Sequence, residues 1–142
     1  MKRKAAITVS ARTRCADAKR EKMIYTVPGT IEDSAAGWQI VYDEPKDGGM
    51  EGTTTALDVS SGRAVLTRSG AVNHSFIFSQ GETQTTMYDT PYGRLSAELH
   101  TGVLRARLNQ RGGAVELRYE LTIGGAYSEH QLSLHIKTEG QS

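Results

Sequence analysis

The sequence predicts an all-β protein: a single domain over residues 1–142 in which an antiparallel up-and-down meander closes into a barrel. Three observations lead there. Ile7 and Val9 alternate with Thr8 and Ser10, and Trp38, Ile40 and Tyr42 with Gln39, Val41 and Asp43. Val115, Leu117, Tyr119, Leu121 and Ile123 do the same with Glu116, Arg118, Glu120 and Thr122, so the period is that of strands. Glycine-bearing turn signals stand at Gly37, Gly48-Gly49, Ser61-Gly62, Gly81, Gly93, Thr101-Gly102, Gly112-Gly113 and Gly124-Gly125, roughly the 8 to 12 residue spacing of successive hairpins. The one stretch with helical composition, Ala16 to Lys22, is too short to hold a helix alone and reads as a loop or a single turn.

At 142 residues, 37% hydrophobic and 23% charged, the chain can bury a core that needs neither disulfide nor metal. The formal net charge of +1 argues against broad attraction to nucleic acid or anionic membrane. Cys15 is the only cysteine, which excludes an internal disulfide and fits a reducing compartment. After the basic start Met1-Lys2-Arg3-Lys4, Thr8, Ser10, Arg12 and Thr13 interrupt the apolar residues, so no signal-peptide core follows. No window approaches the roughly 20 apolar residues of a membrane-spanning helix. A soluble, cytoplasmic protein is the expectation.

Two-residue turns fix which residues face each other, because a one-residue slip would turn every apolar side chain outward. With Gly112-Gly113 in the turn, Leu108 faces Leu117, Ala106 faces Tyr119 and Leu104 faces Leu121. A turn at Thr101-Gly102 adds Leu95, Ala97 and Leu99 to these three rows, and one at Gly124-Gly125 adds Leu132, His130 and Ser128. Around Ser61-Gly62, Val59 pairs with Ala64, Leu57 with Leu66 and Thr55 with Arg68. The hairpin at Gln80-Gly81-Glu82 leaves open whether Met87 or Tyr88 faces inward. Pro28-Gly29 interrupts a strand from about Lys22 to Glu32, where proline's missing donor predicts a bulge or a sharp bend. About ten strands result, and closure would remove their unpaired edges.

The inward group Glu51, Thr53, Thr55 and Arg68 carries the most chemistry. A charge on a core face is costly unless paired, so Arg68 needs a carboxylate, and Glu51 is the nearest candidate. This group reads either as a polar anchor for an anionic ligand or as a structural ion pair at the barrel end. The row Ala97, Ala106, Tyr119, His130 reads either as a small pocket or as a filled core with the Tyr119 hydroxyl bonded to His130. Thr90-Pro91-Tyr92-Gly93 is a β-turn that presents Tyr92 at a rim, where it either contacts a ligand or folds over the edge.

Other chemistries find no support. Arg105, Arg107, Arg111 and Arg118 form no nucleic-acid face: Arg105 lies between Glu98 and Glu120, Glu116 and Glu120 flank Arg118, and no aromatics are interleaved. His130 and His135 have opposite strand parity, and His74 and His100 lack partners at a ligand spacing, so no metal is expected. No phosphate loop, serine elbow or Cys/His pair occurs, and His130 with Tyr119 makes no catalytic set. No cofactor and no enzymatic activity are expected.

Glu51-Gly52-Thr53-Thr54-Thr55, then Arg68-Ser69-Gly70-Ala71-Val72, then Tyr88-Asp89-Thr90-Pro91-Tyr92-Gly93 resemble, in order and spacing, the motifs of the YwiB-like family, bacterial domains of unknown function. The resemblance runs over nearly the whole chain, is strongest from Met50 to Leu95 and is weak before Met23. Pro28 departs from it. It implies a calycin-like, that is lipocalin-like, barrel in the cytosol, and brings no catalytic residues with it. The reading to test is a non-enzymatic barrel binding a small, partly apolar molecule with an anionic end, its site drawn from Glu51, Thr53, Thr55, Arg68, Tyr92, Tyr119 and His130. The alternative is a filled barrel that serves as a protein or RNA interaction module.

Overall fold

Ten strands follow one another with only short connections: β1 (Lys2–Cys15), β2 (Arg20–Ser34), β3 (Gly37–Asp43), β4 (Thr53–Ser60), β5 (Arg63–Gly70), β6 (His74–Ser79), β7 (Thr83–Thr90), β8 (Gly93–Asn109), β9 (Gly112–Ile123) and β10 (Ala126–Thr138). The computed structural model describes residues 1–15, 20–46, 50–71 and 73–139. The turn expected at Gly48-Gly49 and residues 16–19 of the loop or single turn expected over Ala16 to Lys22 lie outside the described residues, and the rest of that stretch, Arg20 to Lys22, is already strand β2, paired with β1. All ladders are antiparallel, and the strands form one sheet in the order β6-β5-β4-β3-β2-β1-β10-β9-β8-β7. Pairing of β1 with β10 joins the two halves of the meander, so the sheet curls into a nearly closed barrel with its seam between β6 and β7.

Side chains bridge that seam. Phe76 on β6 stacks on Tyr88 of β7 with ring centroids 6.1 Å apart, and His74 lies 5.3 Å from the same tyrosine. Tyr88 is thus the inward residue, and Met87 is 53% exposed. Below the rings, the turn between β6 and β7 ties itself to β8. Gly81 N–H donates to Thr101 O, Thr101 N–H to Glu82 O, and the Gln80 side chain both donates to Gly102 O at 2.7 Å and accepts from Leu104 N–H at 2.7 Å.

Gly102 explains the largest departure from the expected register. Thr101-Gly102 is no turn. β8 runs through it as one 17-residue strand with a bulge between Thr101 and Val103. The extra residue shifts the inward parity from Ala97, Leu99 and Thr101 to Leu104. Leu95 faces Tyr88 instead of joining the row of Leu108 and Leu117. Gly112 and Gly113 also lie within a strand, β9, and the chain reverses at Gln110 and Arg111. Leu104 therefore faces Leu117, Ala106 faces Val115 and Leu108 faces Gly113. A Cβ on Gly113 would sit 1.8 Å from Arg107 O, and one on Gly112 2.0 Å from Ile136 O, so close backbone approach, not reversal, requires these glycines.

Elsewhere the expected pairs stand. Val59 faces Ala64, Leu57 faces Leu66, Thr55 faces Arg68, Leu132 faces Leu117, His130 faces Tyr119 and Ser128 faces Leu121. Pro28 produces no register shift in the β1–β2 ladder. β3 pairs with β2 only from Gly29 to Ser34, so Pro28 stands one residue beyond that ladder, where no second neighbour needs its donor.

The two ends of the barrel differ. Ile7, Ile31, Ile40, Leu57, Ala64, Leu66, Phe78, Val115, Leu117 and Leu134 close one end as an apolar, mostly aliphatic core, each at most 3% exposed. Toward the end carrying the β1–β2, β3–β4, β5–β6 and β7–β8 connections, the inward positions turn polar and aromatic.

Gln80→Ala removes two hydrogen bonds to the bulge and should lower unfolding free energy by roughly 1–2 kcal/mol, somewhat less than two full bonds because the residue is exposed. Urea denaturation monitored by circular dichroism measures it. An unchanged midpoint would show that the bulge holds without this clasp.

Candidate functional site

Two inward rows of polar residues confront each other at the open end. One runs across β3, β4, β5 and β6 as Tyr42, Thr55, Arg68 and His74. The other crosses β1, β10, β9 and β8 as Thr13, His130, Tyr119 and Thr101. Strand alternation turns both rows inward: Tyr42, Arg68 and Thr13 lie near their strand ends, whereas Leu121 and Ile123 on β9 and Ala97 and Leu99 on β8 stand between the second row and the connections.

Between the rows lies a cavity of about 670 Å³. Arg68 and His74 line it from one side and Tyr119, His130, Leu121 and Ile123 from the other. Tyr25, Tyr42, Phe76 and Tyr88 complete the wall, with Met23, Met50, Arg12 and Lys22 at the mouth. An outer groove of about 520 Å³ shares Tyr119, His130 and the Arg12–Thr13 and Glu21–Lys22 segments, so the β1–β2 end borders both spaces.

The partner of Arg68 is Glu44. Glu51, the carboxylate expected there, is exposed in the turn before β4, because the strand starts only at Thr53 and its alternation does not reach back through Gly52 at φ +81°. Glu44, just past the end of β3, is 6% exposed and turns its side chain inward behind Arg68. It accepts from the Tyr25 hydroxyl at 2.7 Å and from Thr55 Oγ1 at 2.5 Å, and its Oε2 lies 4.0 Å from Arg68 Nε. These bonds supply what a buried carboxylate requires. They also hold the carboxylate beneath the guanidinium, which leaves the cavity side of Arg68 open. Arg68 Nη1 meets His74 Nε2 at 3.2 Å, and Arg68 Nε is buried with no hydrogen-bond partner among the described residues.

Protonation follows from this charge arrangement. Burial and the adjacent guanidinium lower His74 to about 4 and also lower His130. Burial, with Glu44 adding to it, pushes the Tyr42 hydroxyl up to about 12. Burial raises Tyr119, and Arg68 acts in the opposite direction. The influence of Arg68 on His130 and Tyr119 marks it as the charge both rows face.

The proposed row Ala97, Ala106, Tyr119, His130 does not exist: the reversal at Gln110 and Arg111 sets the exposed Ala106 opposite Val115, the bulge at Gly102 brings Thr101 beside Tyr119, and Ala97 faces Ile123. Tyr119 does not hydrogen-bond His130. The rings stack, centroids 4.9 Å apart and 6° from parallel, and the imidazole instead meets Ser128 Oγ at 2.7 Å through Nε2 and Thr13 Oγ1 at 3.4 Å through Nδ1. Thr53 and Thr55 point inward and are fully buried, Thr53 with no partner for its hydroxyl among the described residues. Tyr92 is 96% exposed in the β7–β8 turn and is not part of the cavity wall. On the outer surface Arg105 and Arg118 lie 3.7 and 3.8 Å from Glu116, so that charge ladder centres on Glu116 in place of Glu98 and Glu120.

The fold and this arrangement can be set beside known proteins. The sequence profile of a domain of unknown function, DUF1934, matches residues 7–136. The chain belongs to the DUF1934 family. The uncharacterized beta-barrel protein YwiB of Bacillus subtilis (strain 168) is 28% identical to it over 86 residues, which span 61% of this chain and 60% of that protein. The crystal structure of the ywiB protein from Bacillus subtilis superposes with a TM-score of 0.84 over 98% of this chain and 94% of that one, at 19% identity. The expected family resemblance and barrel fold are thereby established.

The lowered His74 value sets a pH dependence. A ring kept neutral in the fold but protonated when unfolded favours unfolding as pH falls, so its contribution is complete above the ordinary histidine value of about 6.5 and is lost on acidification toward about 4. Between neutral pH and about pH 5 the native protein should lose more stability than His74→Gln, measured by urea midpoints at both pH values. Equal losses would show that the ring is not held neutral.

Proposed function

We propose that the protein is a non-enzymatic barrel whose open end takes a small, partly apolar molecule, with an acidic group of that molecule seated on Arg68. One observation carries this reading: the inward guanidinium of Arg68, whose Nε makes no hydrogen bond among the described residues, is part of the wall of a cavity of about 670 Å³. Buried donors are rarely left unpaired, and a planar guanidinium fits a carboxylate through two parallel bonds. Volume and lining fall in the range of ligand sites, mostly apolar walls with a few convergent polar groups.

Glu44 does not compete for the cavity side of the guanidinium, since its oxygens are engaged by Tyr25 and Thr55 and it is not part of the cavity wall. Arg12 and Lys22 at the mouth, against Glu21, add a cationic approach. The non-enzymatic part of the reading is supported by His130, whose Nδ1 meets a threonine hydroxyl where a hydrolytic triad needs a carboxylate. A cytoplasmic location is part of the same reading and rests on Cys15 being unpaired. The lipocalin-like kinship is an argument from architecture alone.

Native mass spectrometry of the full chain tests the reading. A reproducible added mass should accompany the wild type and be largely lost from Arg68→Lys, which keeps the charge but not the planar fork, with circular dichroism confirming the fold. Bare protein in repeated wild-type preparations, or an added mass that Arg68→Lys retains in full, would contradict it.

A further inference from the structure

We infer that the ligand of this cavity is a planar aromatic or conjugated monocarboxylate, in preference to a phosphorylated compound or a saturated fatty acid. The inference rests on the binding reading above and narrows it.

Flat walls favour a flat ligand. Tyr119 and His130 form one nearly parallel pair on β9 and β10, and Phe76 and Tyr88 form a second across the seam, 13° from parallel. His74 adds a third ring to the second group, 4.8 Å from Phe76. Aromatic faces prefer offset-stacked or edge-on partners, and such contacts contribute beyond the area they bury. A flexible alkyl chain gains nothing from them beyond burial, and it loses rotamer freedom.

Depth argues the same way. Val9 and Leu132, both buried, line the floor of the cavity, and Phe78, fully buried, packs edge-on behind Tyr119 with centroids 4.8 Å apart. Leu117 and Leu134 fill the barrel beyond it, at 0% and 1% exposure. A long chain would find no channel past this floor.

Charge sets the headgroup. Among the described residues, Arg68 is the one cation on an inward position of the cavity wall, since Arg12 and Lys22 occupy outward positions at the mouth. Both lining histidines are held neutral at physiological pH. Among the described residues there is no helix, so none supplies the N-terminal cradle that phosphates favour. Glu44 already balances Arg68, so every ligand charge adds to a buried carboxylate, and a monocarboxylate brings one such charge where a phosphate dianion brings two.

Isothermal titration of the full chain with 2-naphthoate, trans-cinnamate, decanoate and phenyl phosphate decides the matter, with saturation-transfer NMR locating each probe. The naphthoate and cinnamate should bind about tenfold or more tighter than the other two. Arg68→Lys and Tyr88→Leu, each verified as folded, should both weaken them several-fold. Decanoate or phenyl phosphate binding equally well, with the same Arg68 dependence, would overturn the aromatic assignment and leave the binding reading standing. No measurable binding of any of the four acids, by a protein that native mass spectrometry also finds bare, would overturn both.

Discussion

A positive charge held inside a barrel, and the buried carboxylate that holds it there, govern the rest of this structure. Arg68 sits at an inward position of β5, where the alternating pattern elsewhere places leucine and alanine. Glu44, with 0% side-chain exposure, lies 4.0 Å away and is itself fixed by Tyr25 and Thr55. Removing either partner would strand the other in a poorly hydrated interior, a loss typically of about 3–5 kcal/mol for a buried pair. The pair therefore imposes a division of labour. One end of the barrel packs aliphatic side chains tightly, and the other gathers hydroxyls and neutral imidazoles around a charge and stays open.

The seam depends on the same end. β6 and β7 share stacked rings where the other neighbouring strands share a ladder, and His74 belongs both to that stack and to the surroundings of Arg68. At the opposite end the Gln80 clasp on the β8 bulge performs the joining. Closure is thus assembled from side chains at both ends of the gap, which ties the barrel's shape to the residues around its cavity.

Much of this was legible in the sequence, and the failures have physical causes. Ser61-Gly62 and Gly124-Gly125 are true reversals, and every pair read from them is observed. Gly112-Gly113 carries the same signature for another reason: backbone from neighbouring strands comes too close for a Cβ. Placing the turn there shifted the β8–β9 pairing by four residues, an even number, so the inward set on β9 survived although its β8 partners did not. That shift moved Ala106 from Tyr119 to Val115, and the bulge at Gly102, which changes parity, then set Thr101 in place of Gly102 beside Tyr119. For the site, Arg68, Thr53, Thr55, Tyr119 and His130 were found because strand alternation points them inward. Glu44 was missed because it lies past the end of β3, where alternation no longer assigns a direction. The demand for a carboxylate near Arg68 was sound, and only the search among in-strand neighbours, which gave Glu51, was too narrow. Nothing local in the sequence distinguishes the exposed Tyr92 from an aromatic residue of the cavity wall.

A double-mutant cycle on the pair tests the account most directly. Glu44→Gln, Arg68→Met and the double variant are compared with the wild type by denaturant unfolding at neutral pH. If the charge pair organises the open end, the single changes are each strongly destabilising, and the double change costs at least about 1 kcal/mol less than their sum. Additivity within about 0.5 kcal/mol would mean that Arg68 and Glu44 are held independently, and the polar end of the barrel would need a different explanation.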